Sequence, residues 1–200
     1  MFRRYLQLLR LFLLRDGGKR AAYCKKTGYF HAQGEGCYFQ IYNFGVEPHL
    51  LSFGSNVKVA SGVRFITHDI FGDVILYKNN MDQHIRRVGK ITIGNNVLIG
   101  SNSMIMYDVT IGDNVIIHSG TVLGADAFYY KKRDTGFDQL ISGGRVVIES
   151  NVGIGALCTI DKGVTGDTRI GEGTKLDNQV HVGHYTVIGK KCLIASQTGI

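Results

Sequence analysis

From Ile93 onward an aliphatic residue returns every six positions, at Ile93, Ile99, Ile105, Ile111, Ile117 and Leu123. The period resumes at Ile148, Ile154 and Ile160, then at Ile170, Leu176, Val182, Ile188, Ile194 and Ile200; the same frame catches Phe53, Val59 and Phe65. This is neither the 3.6-residue period of an amphipathic helix nor plain alternation, and a fixed self-similarity along a chain marks a repeat architecture. Four residues after each mark the side chain is small or β-branched, as at Val97, Ser103, Val109, Val115, Thr121, Cys158 and Val180, with Asp69 as the exception. Glycine often follows the mark directly (Gly54, Gly94, Gly100, Gly112), where a backbone bends tightly with no Cβ in the way. Each hexad therefore predicts a short strand and a corner. Three hexads close one triangular turn, and turns stack at the spacing of hydrogen-bonded strands, about 4.8 Å. Since no turn has a core of its own, stability must come from stacking. The pattern predicts an all-β class, a parallel β-helix over residues 35–200.

The interruptions carry a second message. Residues 71–92 and 129–147 are two insertions, and the step from Ile160 to Ile170 is a smaller one. Each follows or falls within a third hexad, so all are predicted to leave one corner of the prism. Insertions gathered on one side of a repeat protein mark a binding face.

Ahead of the repeats, residues 2–15 place Phe2, Tyr5, Leu6, Leu9, Phe12 and Leu13 on one helical face with Arg3, Arg4, Gln7 and Arg10 roughly opposite. Residues 1–34 are thus expected to be a short amphipathic helix and a linker. The net charge of +7 resides here: residues 1–26 hold Arg3, Arg4, Arg10, Arg15, Lys19, Arg20, Lys25 and Lys26 against Asp16 alone, and the rest of the chain is balanced. A neutral body argues against a nucleic-acid groove. The helix is too short to span a bilayer, which takes about 20 residues, and no small-residue cleavage site follows it. Two roles fit it, packing on the end of the domain or contact between residues 2–15 and an anionic membrane surface. The expected location is the cytoplasm, at the inner face of the membrane if the second role holds. Cys24, Cys37, Cys158 and Cys192 lack close ligand spacing and are expected to be free thiols, with no metal site. The chain stops at Ile200, the first residue of a new hexad, which predicts a truncated frame or a fragment of a longer protein.

The hexads resemble those of the left-handed β-helix, or hexapeptide-repeat, acyltransferases, a family of homotrimers with active sites between subunits. Residues 107–200 are similar to the UDP-3-O-acylglucosamine N-acyltransferases of lipid A synthesis. The likeness rests on Gly124-Ala125-Asp126-Ala127-Phe128, Gly144-Arg145-Val146-Val147-Ile148, Thr159-Ile160-Asp161-Lys162-Gly163 and Leu176-Asp177-Asn178-Gln179, with His184 beyond. It implies His184 as general base supported by Asp177, a sugar or nucleotide-sugar acceptor, an acyl thioester on acyl carrier protein or CoA as co-substrate, and no tightly bound cofactor. That family has asparagine after the histidine, where this chain has Tyr185, and a uridine-holding amino-terminal domain, where this chain has the basic head. Residues 35–70 resemble instead the cell-surface polysaccharide O-acetyltransferases, through Gly62-Val63-Arg64-Phe65-Ile66-Thr67-His68-Asp69. There His68 and Asp69 would be catalytic.

The chemistry asks for a base that is neutral near pH 7 and takes a proton from an amine or hydroxyl attacking a thioester carbon, and histidine suits it. His184 and His68 both fall on third hexads, four turns or about 19 Å apart, and cannot serve one reacting atom. His181, three residues before His184, is a substrate contact candidate, as are Asn178, Phe128 and Tyr130. The loop from Tyr129 to Val147 mixes aromatics with Lys131, Lys132 and Arg133, suited to covering an acyl chain and meeting phosphate. Three readings follow: N-acyl transfer to an amino sugar, acetyl-CoA-dependent O-acetylation of a saccharide, and an inactive structural fragment. A zinc site would need three converging histidines, which this spacing does not suggest.

Overall fold

The computed structural model describes residues 2–69 and 87–200, so most of the 71–92 insertion, His84 included, lies outside the described residues. The described strands stack into three parallel sheets forming the faces of a prism, a left-handed parallel β-helix. The first sheet runs through Leu51–Phe53, Ile91–Ile93, Val109–Ile111, Arg145–Ile148, Asp167–Ile170 and Val187–Ile188. The second holds Lys58–Val59, Leu98–Ile99, Ile116–Ile117, Gly153–Ile154, Lys175–Leu176 and Leu193–Ile194. The third holds Arg64–Ile66, Met104–Met106, Val122–Ala125, Thr159–Asp161 and His181–Val182. Register follows the hexads: Phe53 pairs with Ile93, Ile93 with Ile111, and Ile111 with Ile148. The marks from Phe53 to Ile188 are buried and form one column, while the last, Ile200, is 45% exposed.

Two devices hold the corners. At Gly94 an added Cβ would lie 2.7 Å from the backbone of Gly112 in the next turn, so stacked turns approach closer there than any side chain permits. Between the first and second sheets Asn56, Asn96, Asn114 and Asn151 adopt left-handed φ of 58°, 55°, 56° and 62°. Their amides form a ladder with steps of 3.1, 3.0 and 3.2 Å. Asparagine tolerates that backbone better than most residues, and the ladder satisfies the side chains it brings along.

The head differs in detail from its sequence reading. It forms two helices, α1 (Phe2–Leu13) and α2 (Gly17–Thr27), the second capped by Asp16 through the Lys19 amide at 2.8 Å. The repeat also begins one partial turn earlier than the hexad frame shows: Ala32–Gln33 pairs with Ser52–Phe53, and Tyr38–Phe39 with Lys58–Val59. Phe30, Phe39 and Phe44 fill this turn and pack on Phe53 and Phe65. Aromatic rings in place of aliphatic marks conceal the period. Cys24, Cys37 and Cys158 are buried free thiols, and Cys192 is a half-buried one. Burial pushes the Cys24 thiol up to about 12, so it is inert at neutral pH.

Candidate active-site corner

The corner leading from the third sheet back to the first carries every described interruption: residues 67–69 and 87–90, the segment 126–144, and the step 162–166. The other two corners are tight throughout. Within the long segment, Tyr130–Arg133 and Gly136–Gln139 form an antiparallel hairpin. Phe128, Tyr129, Tyr130 and Phe137 line an apolar groove of about 450 Å³ beside it. Phe128 and Phe137 are 82% and 72% exposed, and the Phe128 and Tyr130 rings meet at 4.9 Å. A larger cavity of about 630 Å³ lies at the amino-terminal end between residues 40–45 and 61–66, lined by neither His68 nor His184.

His184 sits on this corner in the last turn with a described third-sheet strand, half-buried between Tyr129, at 6.0 Å between rings, and Tyr185, at 5.8 Å. Tyr185 has a left-handed φ of 63°, which gives a physical reason for the asparagine that the resembling family has there. Its hydroxyl accepts from the Thr165 amide at 2.6 Å, tying the corner to the turn below. His181 accepts or donates through Nδ1 to the Thr159 hydroxyl at 2.8 Å, and its Nε2 lies 4.0 Å from Asp161. Burial holds the Asp161 carboxyl above its ordinary range; His181 and His184 pull it back down, and Asp126 adds to the rise. Asp161 thus lies beside His181 within one chain, on the corner that also carries His184.

Asp177 stands elsewhere. With Asn178 it occupies the corner between the second and third sheets, where its Oδ1 accepts from the Asn178 amide at 2.7 Å while Asn178 Oδ1 accepts from the Ala156 amide at 2.7 Å. Both side chains are engaged in corner bonds, and Asn178 is exposed. The geometry of a single chain does not bring them to His184.

Four turns below, His68 forms its own cluster. Glu47 Oε2 lies 2.7 Å from His68 Nδ1 and accepts from the Thr67 hydroxyl at 2.7 Å. Asp69 accepts from the Tyr107 hydroxyl. The Tyr107 ring is buried, with the Lys162 ammonium 3.4 Å above its centroid and Arg87 at 5.1 Å. Lys162 is fully buried; its ammonium is 3.1 Å from Asp126 Oδ1 but out of line for a good hydrogen bond. Burial lowers its pKa against the pull of Asp126. A polar seam thus runs along the corner from His68 and Asp69 through Tyr107 and Lys162 to Asp161 and the upper histidines. Among the described residues, no group of three or more histidine, cysteine or acidic side chains could hold a metal ion.

The sequence reading missed Glu47, Tyr107, Asp126, Asp161 and Lys162 as site residues. Tyr107, Lys162 and His184 all stand two residues after a third-hexad mark, and a polar or aromatic residue at that offset is a signal the hexad frame contains. Glu47 lies outside the frame and offers none.

Residues 90–125 match the bacterial transferase hexapeptide family, described as six repeats. That stretch carries the hexapeptide repeat. This hexapeptide chain is 48% identical over 81 residues to a UDP-3-O-acylglucosamine N-acyltransferase of Rhizobium johnstonii, a match covering 40% of the chain and 23% of that relative. One from Rhizobium rhizogenes is 50% identical over 78 residues, 39% of the chain and 22% of the relative. The matches thus span under a quarter of the length of these relatives. Among solved structures, AntD, an N-acyltransferase from Bacillus cereus in complex with dTDP and 3-hydroxybutyryl-CoA, shares the fold with a TM-score of 0.58 at 18% identity, over 82% of this chain and 78% of that one. A mutant of AntD in complex with dTDP-4-amino-4,6-dideoxyglucose and Coenzyme A aligns with a TM-score of 0.56 at 18% identity over the same shares.

Proposed function

We propose that this hexapeptide-repeat protein is an acyltransferase that moves an acyl group from a thioester, on CoA or acyl carrier protein, to the amine of an amino sugar. The observation that carries this reading is the setting of His184. It lies on the corner with all the described insertions, near the buried carboxylate of Asp161, with Tyr129 of the aromatic groove against its ring. The likeness to enzymes named UDP-3-O-acylglucosamine N-acyltransferase supports the acceptor class. Neighbours of the same fold in complex with CoA compounds support the donor.

In this reading the sugar amine attacks the thioester carbonyl while His184 takes the amine proton; the C–S bond then breaks and the thiol leaves with a proton returned by the imidazolium. Asp161 stabilises the imidazolium, and His181 contacts the acceptor. Phe128, Tyr130 and Phe137 hold the acyl chain, and Lys131, Lys132 and Arg133 meet the donor's phosphates. The copies assemble as a homotrimer, so that Asp177 and Asn178 approach His184 from a neighbouring subunit. No tightly bound cofactor takes part. The enzyme works in the cytoplasm, at the inner face of the membrane.

A second reading rests on the Glu47–His68 pair, which has the geometry of an oriented base. It would make the protein an acetyl-CoA-dependent O-acetyltransferase using His68 and Asp69. The test compares His184→Ala with His68→Ala using acetyl and long-chain thioesters and amino-sugar or hydroxyl acceptors. Loss of about 10²- to 10⁴-fold in kcat for His184→Ala alone is expected. The same loss for His68→Ala alone would transfer the chemistry to the lower cluster, and full activity of both variants would overturn both readings.

A further inference from the structure

Helix α1 divides its surface in an unusual way. Among its described side chains Leu11 is the one fully buried, and it joins the aromatic cap of the prism. Tyr5, Leu6, Leu9, Phe12 and Leu13 remain 65%, 50%, 54%, 55% and 66% exposed. At about 100° per residue these five fall within a stripe roughly 120° wide, and Leu11 lies on the opposite side of the helix. The helix therefore spends its least apolar side on the fold and turns its widest apolar stripe outward.

That orientation is held in place. The Arg20 guanidinium donates to the carbonyl of Leu11 at 3.0 Å and to that of Gln40 at 2.7 Å, locking the carboxyl end of α1 to the first turn. Arg10 lies 5.3 Å over the Tyr23 ring, and Phe12 meets Tyr42 edge-on at 5.2 Å. Tyr42 and Val46, 43% and 44% exposed, add apolar surface from the adjoining loop.

Charge selects the occupant. The head carries eight basic residues and one acidic residue within positions 1–26, while the remainder of the chain is neutral. Arg4, Arg15, Lys19 and Lys26 are among its cations. A second copy of the chain would set two such heads against each other, and like charges oppose that contact. A surface that is both apolar at its boundary and negatively charged answers both features: a bilayer of anionic lipid.

We infer that α1 is an interfacial anchor, lying in the plane of an anionic membrane with Tyr5, Leu6, Leu9, Phe12 and Leu13 among the acyl chains and the basic residues of the head at the phosphates. Among the described residues no helix is long and apolar enough to cross a membrane, so the contact is one of lying on the surface. Because α1 caps the amino-terminal end, His184 stands five turns along the prism from the first strand pair, about 24 Å at strand spacing. This deepens the location given to the enzyme above but does not depend on its reaction.

The test is flotation of the full chain with vesicles of phosphatidylcholine, with and without phosphatidylglycerol. Binding is expected only where phosphatidylglycerol is present and should weaken as salt rises. Leu6→Glu/Leu9→Glu, at sites already exposed, should abolish it, and Arg15→Gln/Lys19→Gln/Lys26→Gln should weaken it by roughly tenfold or more. Both variants should keep the circular dichroism, thermal midpoint and acyl transfer to a water-soluble acceptor of the parent protein. Equal binding to both vesicles, no binding to either, or a change in oligomeric state in the Leu6→Glu/Leu9→Glu variant would overturn the inference. Absence of transfer in a parent protein that still binds only the phosphatidylglycerol vesicles would support the inference and count instead against the acyltransferase reading.

Discussion

Glu47 and His68 come from segments 21 residues apart, one outside the hexad frame and one within it, and meet at 2.7 Å with both side chains more than four-fifths buried. The same carboxylate oxygen receives the hydroxyl of buried Thr67. Such a shared acceptor fixes the loop before the first full turn onto the corner. Replacing Glu47 with leucine removes the acceptor these two donors share and should cost about 2 kcal/mol, read as a lower midpoint in urea unfolding. Glu47→Gln keeps an acceptor oxygen and should recover most of that loss. If N-acyl transfer through His184 is the reaction, Glu47→Gln leaves kcat essentially unchanged.

Asp161→Asn separates stability from catalysis. Burial raises the folded-state pKa of Asp161, so folding penalises its ionised form. The penalty is absent below the unfolded value of about 3.8, grows as pH rises through it, and is complete above the folded pKa. The asparagine variant should therefore be more stable than the parent at pH 7 and equal to it near pH 3. On the proposed reaction its kcat should fall by at least about tenfold, because an imidazolium at His184 would lose the carboxylate assigned to it. Thermal melts at two pH values and a rate at pH 7 check both signs.

Lys162 has a fully buried side chain, with Asp126 at 3.1 Å. Removing one member of a buried pair leaves the other uncompensated, so Lys162→Met should destabilise by on the order of 2 kcal/mol or more. The double variant Lys162→Met/Asp126→Leu should restore much of it. Urea unfolding of the single and double variants gives the coupling directly.

Leu157 occupies a left-handed corner with φ 58° while 59% exposed. A leucine there bears strain without much burial in return. Leu157→Asn should stabilise by about 1 kcal/mol, a rise of roughly 2–4 °C in Tm for a chain of this size.

The column of marks was legible because burial repeats at a fixed interval, and every mark from Phe53 to Ile188 is buried as that interval requires. The partial turn before it was hidden because Phe39 and Phe44 fill it with rings off the frame, and α2 because its Lys- and Arg-rich run shows little amphipathic pattern. The corner was legible from the lengths of the interruptions. The contacts within it were not: Glu47 reaches His68 and Lys162 reaches Tyr107 by tertiary folding, across 21 and 55 positions, and no local spacing encodes such meetings.

The asparagine ladder from Asn56 to Asn151 has a consequence for how such a molecule can change size. Each rung fits only if the turns above and below keep the same residue count, so a single inserted residue at that corner would slip every rung beyond it. At that corner the protein can lengthen only in quanta of a whole turn, whereas the corner from the third sheet back to the first has no such ladder and takes every described interruption. Novelty in loop length gathers on the edge that holds the polar seam.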